Sequence, residues 1–482
     1  MRLHVIFRYD GLILLLNGAF LTISACISMF GSDSALFPLA YAAIISLLFG
    51  IFPLIFIPAT YDISNKEGLV IVISSWLLSC LIGMLPYILW GGDFTVTNAW
   101  FESVSGYTTT GSTILQNVEA LPRGLLFWRA STHWIGGMGI IVFVLAVLPN
   151  MGMAGMMLYR SEVSHHTMDK FRFKTKRAAQ ILISVYFGLT LLETIILAFS
   201  GMSVFDAITH SFATIATGGF STKNASIAYY NSAVIDWVII VFMVISGIHF
   251  GLLYAVFTKS IRRILQSSVV KYYLLALLIG VIVTTISNYG TQYSSWLTSL
   301  RFSAFQVISV GTSTGFATAD TNPWPSLTHI LIIFFTLQCA CAGSTSGGIK
   351  TDRIILFWKT VVKKVRQFLH PKAIIPVSID KSNIDPNVLE LSVLYISIYL
   401  MVVFITTILL TAMGVDSTTA FTGSAATMGN VGPGLGLVGT VHNFSQIPAA
   451  GKWLLTLNMF LGRLEIFSVI IFLSPETWQK LR

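Results

Sequence analysis

The chain has 482 residues, 55% of them hydrophobic and only 10% charged, with a mean hydropathy of +0.78 and a formal net charge of +9. That balance excludes a soluble globular enzyme and points to a polytopic membrane protein, whose positive charge marks loops and not a nucleic-acid surface. The four cysteines, Cys26, Cys80, Cys339 and Cys341, sit in apolar or glycine-rich segments without the spacing of a zinc site or a disulfide framework.

The opening residues, MRLHVIFRYDG, put positive charge ahead of an apolar run, as a secretory signal does. No small-residue cleavage site follows, and a second apolar run comes directly, so the segment reads as a retained first helix. Apolar runs recur over roughly 9–30, 35–59, 70–90, 124–148, 179–200, 234–257, 272–289, 328–356, 391–413 and 453–474. Each approaches the ~20 residues that a hydrocarbon core demands. The run over 328–356 is interrupted by AGSTSGG, a break that lipid does not tolerate unless it faces protein or a water-filled cavity.

Basic residues gather in alternate connections. One holds Arg160, Lys170, Arg172, Lys174, Lys176 and Arg177; the next holds Lys259, Arg262, Arg263 and Lys271. A third reads KTVVKKVRQFLHPK and is followed by Lys381, and the C-terminus adds Lys480 and Arg482, whereas the opposite connections carry little beyond Lys223 and Arg301. The positive-inside rule then places the basic loops and both termini in the cytoplasm. A docking face for a cytosolic partner or acidic lipid heads is the other reading of these runs.

Four connections on the opposite side are longer than turns require: TNAWFESVSGYTTTGSTI, VFDAITHSFATIATGGFST, SLRFSAFQVISVGTSTGFAT and TTAFTGSAATMGNVGPGLG. Each pairs a helix-like segment too short to span with a run of small polar residues. Gly111, Gly219, Gly315 and Gly432 align, 108, 96 and 117 residues apart, which is a repeat of span, re-entrant segment and span. A short helix ending at mid-depth aims its negative dipole end at a shared axis, and glycine lets the returning backbone turn its carbonyls inward. Four returns make a ring of oxygens able to replace the hydration shell of a monovalent cation, K⁺ or Na⁺. The expected filter triplets are Thr109, Thr110 and Gly111; Thr217, Gly218 and Gly219; Ser313, Thr314 and Gly315; and Asn430, Val431 and Gly432. Hydroxyls of Thr109, Thr217 and Ser313 are expected at the inner end, and Asn430 makes the fourth quarter less regular.

These segments, with THWIGGMGI, CAGSTSGGIKTDR, GNVGPGLG and LGRLEIF, resemble in order the potassium-translocating subunit of the bacterial Trk/Ktr/HKT superfamily, most of all its TrkH/TrkG branch. The resemblance covers nearly the whole chain. It implies an all-α polytopic fold of four pseudo-symmetric helix–pore-loop–helix repeats around a central pore, preceded by two extra helices. The corresponding division is 1–68 for the extension, then 69–149, 178–258, 270–357 and 390–474 for the repeats, the third with an interrupted second helix, and 475–482 for a cytoplasmic tail. The resemblance further implies K⁺ as the transported and coordinated ion, a bacterial inner-membrane location, a homodimer, and a cytosolic RCK-type, TrkA-like regulator that binds nucleotide.

Within that resemblance Ala342, Gly343, Ser344, Thr345, Ser346, Gly347 and Gly348 form a gate loop below the filter, with Lys350 and Asp352 as its anchors; a packed kink is the alternative. Arg463, near the middle of the last span, matches a barrier residue, and a buried structural pair with Glu465 is the alternative. Glu465 is expected to bond to a neighbouring repeat. Glu102, nine residues before Gly111, has His210 and Gln306 as counterparts and either bonds behind the filter or acts on entering ions. Glu193, His133, Gly136, Gly137 and His249 read as structural. No Walker spacing is present, and GxGxxG is absent in a strand–helix setting, so no nucleotide site or other cofactor is expected in this chain, and it is not expected to be an enzyme. An H⁺- or Na⁺-coupled carrier and a non-transport scaffold are the competing functions. The repeats keep one orientation, which favours a shared axial pore over the inverted repeats of many carriers.

Overall fold

The computed structural model describes residues 2–58, 63–147, 171–258, 266–373, 375–380 and 382–478. Arg160, Lys170, Lys259, Arg262, Arg263, Lys381, Lys480 and Arg482 lie outside the described residues, as do the side chains of Arg172, Lys174, Lys176 and Arg177.

Helices α1 (Leu3–Gly31) and α2 (Leu36–Phe56) form a hairpin that packs on the rest of the molecule chiefly through α1. Their axes approach closely because small residues meet: a Cβ on Gly11 would stand 2.8 Å from the carbonyl oxygen of Gly50. The four repeats follow. The first holds α3 (Asn65–Trp90), the short α4 (Val96–Tyr107) and α5 (Arg123–Val147); the second holds α6 (Phe171–Phe199), the short α7 (Val204–Ile215), α8 (Ala233–Ser246) and α9 (Phe250–Thr258). The third holds α10 (Ser268–Asn288), α11 (Trp296–Gly311), α12 (Ser326–Leu337) and α13 (Thr351–Leu369). The fourth holds α14 (Pro386–Ala412), the short α15 (Ser417–Met428), α16 (Ala449–Arg463) and α17 (Ile466–Leu473), with α18 (Pro475–Trp478) after it. Among the described residues six helices are long and apolar enough to cross a membrane, or seven if α16 and α17 count as one span. The protein is a multi-pass membrane protein.

The short helices start where the sequence supplies caps. Thr95, Ser203 and Asp416 accept backbone N–H bonds from Asn98, Asp206 and Thr419 at the starts of α4, α7 and α15. The repeats close into a ring because each return helix packs on the next short helix: α5 on α7, α8 on α11, α12 on α15, and α16 back on α4. At this last seam Trp100 stacks on Trp453 with centroids 5.5 Å apart, and Lys452 donates to Asn98 Oδ1 at 2.9 Å. Between the second and third repeats Arg301 pairs with Asp236 at 2.6 Å.

Two runs that the sequence presents as continuous spans are broken. The 234–257 run stops at Ser246 and resumes at Phe250. The backbone groups freed there are taken up by the third repeat, since Cys341 N donates to Gly247 O at 3.0 Å and Phe250 N donates to Gly343 O at 3.2 Å. The 453–474 run bends by 110° between α16 and α17, where Glu465 holds a φ of +63°. The interruption in 328–356 stands as expected: α12 ends at Leu337 and α13 begins at Thr351, with a short parallel pairing of Gln338 to Ile349 and Cys339 to Lys350 closing the neck of the loop between them.

Candidate ion pathway

All four short central helices end in one local motif. The second residue before each aligned glycine turns left-handed, with φ of +50° at Thr109, +54° at Thr217, +56° at Ser313 and +51° at Asn430. The following N–H bonds back five residues: Thr110 to Ser105 O, Gly218 to Ala213 O, Thr314 to Ser309 O and Val431 to Ala426 O, all at 2.8–2.9 Å. This is a Schellman-type cap with a non-glycine residue in the left-handed position, a conformation that costs such a residue about 1–2 kcal/mol. The glycines then take φ of +81°, +79°, +81° and +99°. Alternation of positive and negative φ turns successive carbonyls toward one side. The fourth quarter is therefore as regular as the others in backbone, and the irregularity expected from Asn430 is confined to its side chain. Asparagine tolerates the left-handed region better than most residues.

The four returns meet. A Cβ on Gly111 would overlap the carbonyl oxygen of Gly218, one on Gly219 that of Thr314, and one on Gly315 that of Val431. A Cβ on Gly432 would lie 2.6 Å from the carbonyl oxygen of Thr110, which closes the cycle from the fourth repeat to the first. Gly111, Gly219, Gly315 and Gly432 together floor a cavity of about 80 Å³ that opens on the side where the short helices begin.

Behind the ring, one position on each short helix staples the returning chain. Glu102 accepts from Thr113 Oγ1 at 2.9 Å and from Ile114 N at 3.1 Å, and it pairs with Arg129 at 2.7 Å, both side chains buried. His210 bonds Ser221 Oγ at 2.9 Å, and Gln306 donates to Ala319 O at 3.1 Å. In the fourth repeat Thr422, one residue earlier, accepts from Leu435 N at 2.9 Å. Glu102 thus lies behind the ring, bonded to the returning chain and to Arg129. Arg129 and Thr422 escaped the sequence reading. The signal for Arg129 was a cation well inside an apolar return helix, with one acid available on the preceding short helix.

On the other side of the ring lies the 338–350 loop. Thr345, fully buried, donates to Ile215 O at 3.0 Å and sits 3.3 Å from the Thr217 hydroxyl; Gly347 N donates to Ser313 Oγ at 3.0 Å. A Cβ on Gly347 would lie 2.5 Å from Asn430 Oδ1. The loop therefore touches the left-handed residues of three repeats directly beneath the carbonyl ring. The hydroxyls of Thr217 and Ser313 serve the loop, and that of Thr109 is buried without a hydrogen-bond partner. Ala342 N donates to Asp352 Oδ2 at 2.6 Å, Lys350 Nζ donates to Ser346 O, Ser344 Oγ donates to Cys341 O at 2.7 Å, and Gly343 and Gly348 hold positive φ at the turns.

Arg463 reaches the loop from the last repeat. It is 1% exposed, donates to Thr345 O, and donates to Gly136 O of the first repeat at 3.1 Å; no ion pair to it occurs among the described residues. Glu465, beyond the bend, instead accepts from Arg353 of the third repeat at 2.8 and 2.9 Å, and the Arg353 guanidinium lies 3.8 Å from the Tyr395 ring centroid. Arg463 and Glu465 are not partners of each other. Gly136 and Gly462 play matching packing roles, each leaving no room for a Cβ against the carbonyl four residues before an aligned glycine, Tyr107 O and Met428 O respectively. His133 stacks on Phe220 at 4.1 Å behind Gly218, Glu193 is wholly buried, and His249 lies against Gly343 of the loop.

Residues 40–480 match the TrkH family, described as cation transport protein. The chain is 36% identical over 423 residues to the Trk system potassium uptake protein TrkH of Salmonella typhimurium, covering 87% of each chain. It is 34% identical over 486 residues to TrkH of Halomonas elongata, covering 100% of both. The crystal structure of the potassium transporter TrkH from Vibrio parahaemolyticus superposes with a TM-score of 0.90 at 30% identity, covering 99% of this chain and 100% of that one. Four joined repeats around one carbonyl ring, matched over essentially their full length, make this chain a member of the TrkH family of cation transport proteins.

Proposed function

We propose that the chain takes up potassium through a channel-like pore whose filter is the carbonyl ring of the four triplets. The observation that carries this reading is the cyclic contact of each filter glycine with the neighbouring repeat's carbonyl, from Gly111 round to Gly432. Ringed backbone oxygens without a carboxylate suit a monovalent cation stripped of water, whereas hard divalent ions ordinarily recruit carboxylates. The relatives named as potassium uptake proteins supply the ion. The side on which the short helices begin is the external mouth, the basic connections and both termini are cytoplasmic, and the membrane is the bacterial inner membrane.

The 342–348 loop is the gate, and Arg463 both tethers it and raises the barrier to cations below the filter. Its position against Thr217, Ser313 and Asn430 supports the first role, and its glycines supply the turns that a moving segment needs. Lys350 and Asp352 hold its base. Repeats divided at 69–149, 178–258, 270–357 and 390–474 assemble as a homodimer under a nucleotide-binding RCK-type regulator, in keeping with relatives named as parts of a Trk system.

Flux through purified protein in liposomes tests the reading. Rb⁺ uptake should follow an imposed voltage without a proton or sodium gradient, and should rise when 343–347 is deleted. Absolute dependence on a second ion gradient would replace the pore with a coupled carrier.

A further inference from the structure

The mouth cavity is lined by three ionisable side chains, Arg129, Lys223 and His442, and by no carboxylate. Arg129 is committed to Glu102 and buried. Lys223 is placed differently. It stands four residues past Gly219, and the same offset in the other repeats falls on Leu115, Ala319 and Gly436, so this charge belongs to one quarter of the mouth alone.

The turn that carries it is fixed. Lys223 N donates to Ser221 Oγ at 3.0 Å, and the next residue is pinned to the first repeat, with Asn224 N on Glu119 Oε1 at 3.1 Å and Val118 N on Asn224 Oδ1 at 2.6 Å. The ammonium lies 4.5 Å from the Tyr229 ring centroid and 3.9 Å from Asp206 Oδ2, at the outer limit of an ion pair. Asp206 commits its other oxygen to Thr222 at 2.6 Å and does not line the cavity. Lys223 thus lines the mouth, while its ammonium is held beside Tyr229 and Asp206, neither of which does.

We infer that Lys223 is a specificity-determining residue, a fixed positive charge at the mouth that thins the cations reaching the ring and thins divalent cations most. The inference rests on the carbonyl ring being the filter. A positive charge lowers local divalent cations by the square of the factor it applies to monovalent ones, about ninefold where the monovalent factor is about threefold. The effect fades as salt shortens the screening length to about 8 Å and below. A ring built without carboxylates then gains a second safeguard against Mg²⁺ before any ion is dehydrated.

The test compares wild type with Lys223→Gln, Lys223→Glu and Lys223→Arg in voltage-driven Rb⁺ uptake by proteoliposomes, with ionic strength raised by choline chloride. At low ionic strength Lys223→Gln should take up Rb⁺ about threefold faster and Lys223→Glu faster still, the gain vanishing at high salt. The Mg²⁺ concentration that halves uptake should fall about ninefold in Lys223→Gln, while Lys223→Arg should behave as wild type. Rb⁺/Na⁺ discrimination should not change, because both ions carry one charge. Unchanged uptake and unchanged Mg²⁺ block in Lys223→Gln overturn the inference, and so does a gain that persists at high salt. The filter reading fails separately, if Gly111→Ser leaves Rb⁺/Na⁺ discrimination intact.

Discussion

Asn430 of the fourth repeat donates its side-chain amide to the Thr110 hydroxyl of the first at 3.0 Å, and to Met459 O at 2.9 Å. This bond stitches the ring at the one boundary where the chain's ends meet and not its middle. Each such buried bond contributes about 1 kcal/mol. Asn430→Thr, which restores the hydroxyl pattern of the other quarters, should lower Rb⁺/Na⁺ discrimination, because threonine cannot reach both partners. Asn430→Gly should relieve the cap strain yet discriminate as poorly. Equal selectivity in all three proteins, measured as paired Rb⁺ and Na⁺ flux, would show that the stitch does not matter.

Alanine at the filter glycines should follow a graded order. At Gly111, Gly219 and Gly315 the new Cβ overlaps a carbonyl oxygen of the neighbouring repeat, whereas at Gly432 it lies 2.6 Å away. All four sites also hold φ between +79° and +99°, unfavourable for any other residue. Rb⁺ uptake should be nearly abolished by the first three substitutions and reduced least by Gly432→Ala. A reversed order in a flux assay at equal protein counts against the ring geometry.

Glu102→Gln removes the counter-charge from Arg129, whose side chain is 2% exposed. Leaving a buried cation unpaired costs about 3–5 kcal/mol. Thermal unfolding in detergent should shift down markedly, and the double substitution Glu102→Gln with Arg129→Met should recover most of the loss. If Arg129→Met fails to rescue, the pair is not what Glu102 supplies.

Arg463→Ala removes one bond to the loop and one to the first repeat. Hydrogen bonds to a charged group contribute about 1.5–3 kcal/mol each, so losing the tether to Thr345 should raise unregulated Rb⁺ flux about tenfold or more. Arg463→Lys, a compact point charge that cannot fork to both carbonyls, should fall between. Flux equal to wild type in a folded Arg463→Ala protein would leave the tether without a role.

The fourfold plan was legible because glycine at a tight axial approach has no substitute, so Gly111, Gly219, Gly315 and Gly432 had to recur at fixed offsets from short helices. The break in the third repeat was legible for a related reason: AGSTSGG is too polar and too flexible for lipid-facing helix. The breaks at Gly247 and Glu465 were not. The first is bought by hydrogen bonds from the distant loop, and the second is held by the Arg353 ion pair, both tertiary and invisible to a local pattern. The supports behind the filter were half legible. Glu102 and His210 bond the same step of their returns, Thr113 and Ser221, but Gln306 bonds Ala319 two steps further on and the fourth repeat uses Thr422 one residue earlier, so the full set emerged only from the packing.

One segment of thirteen residues, 338–350, lies directly beneath the carbonyl ring, and among the described residues it comes from the third repeat alone. Four identical subunits would each project the same segment into one place, and at most one could enter. Joining the quarters into a single polypeptide removes that collision and lets the quarters diverge around one inserted segment: Thr217, Ser313 and Asn430, from the second, third and fourth repeats, present different surfaces to it. Departure from symmetry beneath the ring is therefore what the covalent linkage permits.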